Sequence, residues 1–142
     1  SPTDIKFYKN EKAGNFFRKA AEQSHSLSCY GLGGLYMGGL GVKKDAKEAH
    51  KWWNQAANQG LAVAQLDMGI LLVKGEGVSQ DNAEAYKWLT LAARTEDPNL
   101  KSRADKVRNE LSRVMKGGEI LDGLRRARKF KPEESGKKSE DK

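Results

Sequence analysis

The chain has 142 residues, enough for one domain, and only 37% of them are apolar. Its formal net charge of +7 is unevenly placed: residues 1–100 carry 12 Lys+Arg against 11 Asp+Glu, and residues 101–142 carry 14 against 8. A single cysteine, Cys29, excludes an internal disulfide framework, and no apolar run approaches the ~18 residues needed to cross a membrane.

No signal peptide is visible. The chain starts at Ser1 without a methionine. Removal of an upstream segment is therefore expected, with a periplasmic or secreted protein ahead of a cytoplasmic one.

From the N-terminus, Ala13, Phe16, Phe17, Ala20 and Ala21 match Ala49, Trp52, Trp53, Ala56 and Ala57 at a shift of 36 residues. They predict the second helix of a half-unit over about 11–24. Its first helix would fall before residue 3. Alternatively Ile5, Phe7 and Tyr8 cap the stack irregularly.

Two full units follow, at about 25–60 and 61–96. Twelve positions are identical between them, including Gly33/Gly69, Gly39/Gly75, Gly41/Gly77, Asp45/Asp81, Glu48/Glu84, Trp52/Trp88 and Ala56/Ala92. A period of this length is the signature of stacked helical repeats. Each unit reads as a first helix (27–38, 62–74), a glycine turn and a second helix. Asp45 and Asp81 are expected N-caps, with Glu48 and Glu84 completing a capping box. Ala49, Trp52 and Ala56 share one face of the second helix, and one unit cannot bury that face alone.

The identity ends at residue 96. Asp97-Pro98 is expected to start a new helix, with Leu100, Ala104, Val107, Leu111 and Val114 as its apolar stripe and Gly117-Gly118 as its stop. A last helix carries Ile120, Leu121, Leu124, Ala127 and Phe130 as its apolar residues, and Pro132 ends it. This pair reads as the polar cap that a solenoid needs. A single helical-repeat domain is thus expected over 1–131, with the cap at about 98–131. The polar stretch 132–142 is expected to be disordered.

These residues closely resemble the Sel-1-like repeat family, a relative of the tetratricopeptide repeats. The first unit offers Leu32-Gly33, Tyr36, Gly39-Leu40-Gly41-Val42, Asp45, Ala49, Trp52 and Ala56-Ala57-Asn58-Gln59-Gly60. The second offers Ala64, Met68-Gly69, Gly75-Glu76-Gly77-Val78, Asp81, Ala85, Trp88 and Ala92-Ala93, but has Leu72 in place of the usual aromatic and Glu96 in place of the closing glycine. The resemblance implies an all-α, right-handed solenoid of antiparallel helix pairs, probed by partners on a concave side lined by first helices. It also implies a bacterial adaptor for proteins or peptides, with immunity or envelope-associated roles among its relatives.

A Cys29–His25 nucleophile and base is the obvious alternative. The repeat places His25 at a helix end and supplies no orienting third residue. Cys29 aligns with Gln65 at a variable helix position, and His50 aligns with Tyr86 as a surface residue. No catalytic, cofactor or metal site is expected, because two histidines and one cysteine lack zinc-site spacing. The run Gly31-Leu32-Gly33-Gly34-Leu35 lacks the order of a phosphate-binding loop and a preceding strand. Gly33 recurs as Gly69, which assigns it to helix packing.

Positions outside the repeated framework set a solenoid's specificity. The candidate partner-binding residues are therefore Tyr30, Gly34, Met37, Asp67, Ile70 and Lys74. Arg125, Arg126, Arg128, Lys129 and Lys131 form a basic cluster. Three functions follow: a protein-binding scaffold, a basic adaptor to nucleic acid or anionic membrane through the cap, or an enzyme. The repeat architecture and the empty catalytic roles select the scaffold.

Overall fold

A computed structural model describes Lys12, Gly14, Asn15, Arg18, Lys19, Ala21 and residues 25–134. The described residues of 12–21 are helical. Ala13, Phe16, Phe17 and Ala20 of the expected half-unit, and Ile5, Phe7 and Tyr8, lie outside the described residues. Six further helices follow: α1 Ser26–Gly38, α2 Ala46–Asn58, α3 Ala62–Lys74, α4 Asn82–Ala92, α5 Pro98–Ser112 and α6 Gly117–Lys129. No strand occurs among the described residues.

The glycine turns stop the first helices. Gly39 and Gly75 sit at φ 63° and 69°, the left-handed region that favours glycine. Their amides and those of Leu40 and Glu76 return to the carbonyls of Leu35 and Leu71. Asp45 and Asp81 then open the second helices. The Asp45 carboxylate accepts from the amides of Lys47 and Glu48, and Asp81 accepts from Glu84. Removing such a cap costs about 1 kcal/mol. Neither expected capping box closes: the amides of Asp45 and Asp81 donate instead to the carbonyls of Tyr36 and Leu72, and the Glu84 side chain bonds Lys87 and Arg126.

The repeated glycines Gly33 and Gly69 lie beneath the second helix of their own unit. A Cβ on Gly33 would stand 2.3 Å from the Trp53 ring, and one on Gly69 would stand 2.7 Å from Leu89. Trp53 and Leu89 are themselves 36 residues apart, so one close approach is made twice. The indole N–H of Trp53 donates to the Tyr30 carbonyl at 2.9 Å. A single core runs from Ala21 through Leu32, Ala56, Leu66, Met68 and Trp88 to Ala104 and Ala127. Each such leucine, fully buried, contributes about 1.5–3 kcal/mol.

The joints between units use one contact three times. The Cys29 thiol donates to the Ala21 carbonyl at 3.8 Å, the Gln65 amide to Ala57 at 3.2 Å, and the Lys101 ammonium to Ala93 at 3.3 Å. Donors and acceptors each advance by 36 residues. Position 29 therefore varies in residue type but not in task, and Cys29 is fully buried. The same spacing separates the starts of α1, α3 and α5. The structural period thus outlasts the sequence identity by one helix.

The cap departs from the expected stripes. Asp97 does cap α5, accepting from Asn99 and Leu100, with Pro98 in the first turn. But α5 ends at Ser112, and Gly117 and Gly118 form the first turn of α6. Val114 is exposed, and Met115 turns inward in its place. Helices α5 and α6 barely touch: α5 packs on α4 and α3, while α6 lies back across α4. Gly123 permits that approach, since a Cβ there would meet the Ala83 carbonyl at 2.9 Å. Leu121 and Leu124, two of the apolar residues expected on this helix, are exposed. Beyond α6, Phe130 meets Trp88 edge-on at 5.7 Å, Pro132 rests by Gly60, and the Glu133 amide donates to Asn58 at 2.7 Å. Residues 132–134 lie beyond the expected boundary at 131, and residues 135–142 of the expected tail lie outside the described residues.

Candidate protein-binding surface

The first helices α1, α3 and α5 bring equivalent positions into rows. One row is Gly31, Asp67 and Arg103; the next is Gly34, Ile70 and Lys106; a third is Gly38, Lys74 and Glu110. Four of the six expected partner-binding residues, Gly34, Asp67, Ile70 and Lys74, fall on these rows. The series runs from glycines on α1, through mixed residues on α3, to charges on α5.

Tyr30 and Asp67 are joined directly. The Tyr30 hydroxyl donates to the Asp67 carboxylate at 2.6 Å, linking α1 to α3. The Tyr30 ring stacks on Trp53 with centroids 5.8 Å apart. Burial and the bond to Asp67 push the Tyr30 hydroxyl well above its ordinary range. Burial raises the Asp67 carboxyl, while the Tyr30 bond and the positive field of Arg103 oppose that rise. Arg103 thus acts electrostatically on a pair formed by the two units before it.

Gly34 has open space where a Cβ would be, although glycine in a helix interior costs about 1 kcal/mol against alanine. Met37 and Ile70 are half-buried and pack on the core, and Lys74 is exposed at the last turn of α3. Two members of this surface were missed in the sequence. Leu27, 70% exposed, opens the α1 face. Arg103 was missed because α5 had lost its identity with α3, although the spacing from Ala62 to Pro98 carried the signal.

The other candidates separate. Arg126 is pinned by Glu84 at 2.7 Å and Asp122 at 2.8 Å, which holds α6 to the start of α4. Lys87 joins the group, 2.6 Å from Glu84 and 4.0 Å from the Trp88 ring centroid. Burial raises the Glu84 carboxyl, but the bonds from Lys87 and Arg126 outweigh it and leave it below its usual value. Arg125, Arg128, Lys129 and Lys131 are exposed and separate from this network.

Cys29 is fully buried, and burial pushes its thiol to about 11. A protonated, inaccessible thiol is a poor nucleophile. His50, expected at the surface, is half-buried, and burial lowers its pKa. The second helices are thus more covered than their sequence pattern alone implies.

Antiparallel helix pairs joined by repeated turns, with one ladder of first helices, define an α-solenoid repeat protein. The Sel1 repeat model matches residues 9–25, 26–61 and 62–94, and the chain belongs to the Sel1 repeat family. Members of this family are generally non-catalytic protein-interaction scaffolds. A protective antigen of uropathogenic Escherichia coli with an SLR fold is similar over 84% of this chain, at 28% identity and a TM-score of 0.79. A Sel1 repeat protein from Oxalobacter formigenes is similar over 92%, at 31% identity and a TM-score of 0.65. The chain spans only 25% and 53% of those two chains. No curated protein matches.

Proposed function

We propose that this chain is a non-enzymatic scaffold that holds a protein or peptide against the first-helix face. Tyr30, Gly34, Met37, Asp67, Ile70 and Lys74 contribute to that face, and Arg103 extends it. The observation that carries the reading is Gly34, a costly glycine with open space above it, at the position equivalent to Ile70 and four residues after Tyr30, whose hydroxyl binds Asp67. A partner's backbone can approach there as it could not over a larger side chain.

The test uses Gly34→Arg, which fills the open space without touching the core. Crosslinked pull-downs with the intact chain and this variant are compared. A partner captured by the intact chain and lost by Gly34→Arg and by Ile70→Lys supports the reading. Capture unaffected by both substitutions would falsify it.

A further inference from the structure

Three of the five exposed large apolar side chains among the described residues lie in the cap: Val114, Leu121 and Leu124, 74%, 63% and 37% exposed. Each stands 36 residues after a side chain that the preceding unit packs into or against its core, namely Val78, Ala85 and Trp88. Their exposure follows from the way α6 lies down. It presents its Gly123 and Ala127 side to α4, and the opposite side faces out. Helical spacing places Leu121, Leu124 and Arg128 in one outward stripe, with Arg125 and Lys129 beside it.

On α6 the exposed charge on that side is of one sign, while the exposed Glu133 and Glu134 follow Lys131 past the helix end. Arg125, Arg128 and Lys129 are exposed and enter no ion pair among the described residues, as is Lys131 just past the helix end. The acids of α6 are occupied elsewhere. Glu119 accepts the Lys116 amide, and Asp122 holds Arg126.

The geometry points to docking of this face on an anionic lipid bilayer. Leu121 and Leu124 enter the boundary between headgroups and acyl chains, and Arg125, Arg128, Lys129 and Lys131 lie at the level of the lipid phosphates. The leucines project from a helix and do not line a groove. A fluid bilayer accepts projecting side chains without a matching shape, whereas a folded acidic protein would need pockets for them. Nucleic acid fits less well, because the face offers no aromatic ring to stack on bases. Phe130 is turned onto Trp88. Among the described residues no helix is long and apolar enough to cross a membrane. The contact involves the second-helix side and is independent of the first-helix reading.

The experiment is vesicle co-sedimentation of the full chain. The probes are phosphatidylcholine vesicles with and without about a third phosphatidylglycerol. The chain should bind the anionic vesicles, ignore the neutral ones and be released by high salt. Leu121→Ser with Leu124→Ser should weaken binding about tenfold, since together they expose roughly one leucine's worth of apolar surface. Arg125→Glu with Arg128→Glu and Lys129→Glu should abolish it. The substituted side chains are outward-facing, and unchanged thermal melting of both variants verifies that. No binding by the intact chain overturns the proposal. So does unchanged binding by the leucine variant, which would reduce the contact to unspecific charge. Tighter binding to duplex DNA or polyglutamate than to vesicles at equal salt also overturns it.

Discussion

Helices α3 and α5 occupy the same place in the period, and they treat their two sides differently. Toward the core they agree: Ala64, Met68 and Leu71 on α3 correspond to Leu100, Ala104 and Val107 on α5, and all six are buried or half-buried. On the other side they diverge. Gln65, Leu66, Gly69 and Leu72 are buried on α3, Gln65 at the joint and Gly69 under Leu89 of α4. Their counterparts on α5 are Lys101, Ser102, Asp105 and Arg108, exposed or half-exposed. Helix α6 does not cover that side. The stack therefore stops because half of one helix surface has changed chemistry, while the backbone of α5 still follows the period.

The strongest way to break this contrast is to exchange residues across it. Leu66→Ser gives α3 the side chain of α5 at a site with no exposure. A cavity plus an unpartnered hydroxyl should cost about 3–5 kcal/mol in chemical denaturation. The reverse change, Ser102→Leu, lies on an exposed site and should alter stability by less than about 0.5 kcal/mol. Equal losses for the two would show that α5 is not a solvated terminus.

A smaller effect is expected where α6 is pinned. Arg126→Ala removes the links to Glu84 and Asp122. The arginine is 38% exposed, so solvent screening limits the loss to about 1 kcal/mol. The pH dependence has a defined sign. The folded-state carboxyl of Glu84 lies below its ordinary 4.5, so its stabilisation is present above that value and is lost as pH falls through the folded pKa. Melting temperatures measured from neutral to acidic pH should therefore decline less steeply in Arg126→Ala than in the unaltered chain. Parallel profiles would remove Arg126 from the account of Glu84.

The smallest expected effect sharpens the difference between neighbouring glycines on α1. Gly34→Ala should stabilise the fold by about 0.5–1 kcal/mol, because its Cβ meets nothing. Gly33→Ala gains the same helix propensity but pushes a methyl into Trp53. A thermal melt in which both substitutions stabilise would mean that Trp53 yields its place freely.

The repeating part of the fold was legible because its signals are local. Glycines at the turns, aspartates at the caps and a fixed 36-residue shift each state a backbone requirement. The cap was harder to read because its helix faces depend on tertiary contact. On α6 the sequence named Ile120, Leu121, Leu124, Ala127 and Phe130 as apolar without choosing which of them are buried. The close approach allowed by Gly123 made that choice, and small residues won over large ones. Val114 lost its place to Met115 for a related reason, since α5 ends before it. The geometry of the candidate surface was half legible. Tyr30 and Asp67 stood out as departures from the framework, but their bond joins neighbouring units, and no single unit displays it. Arg103 required seeing α5 as a first helix, which sequence identity no longer announces.

The contacts of Cys29, Gln65 and Lys101 with the carbonyls of Ala21, Ala57 and Ala93 have a consequence for growth by duplication. A thiol, an amide and an ammonium all close the same junction. The junction therefore asks only for a donor of adequate reach, and it leaves charge and polarity free to drift. A gene copying residues 61–96 in tandem would insert a unit whose fastening already suits both neighbours, so length can change in whole steps while each seam keeps its own chemical character.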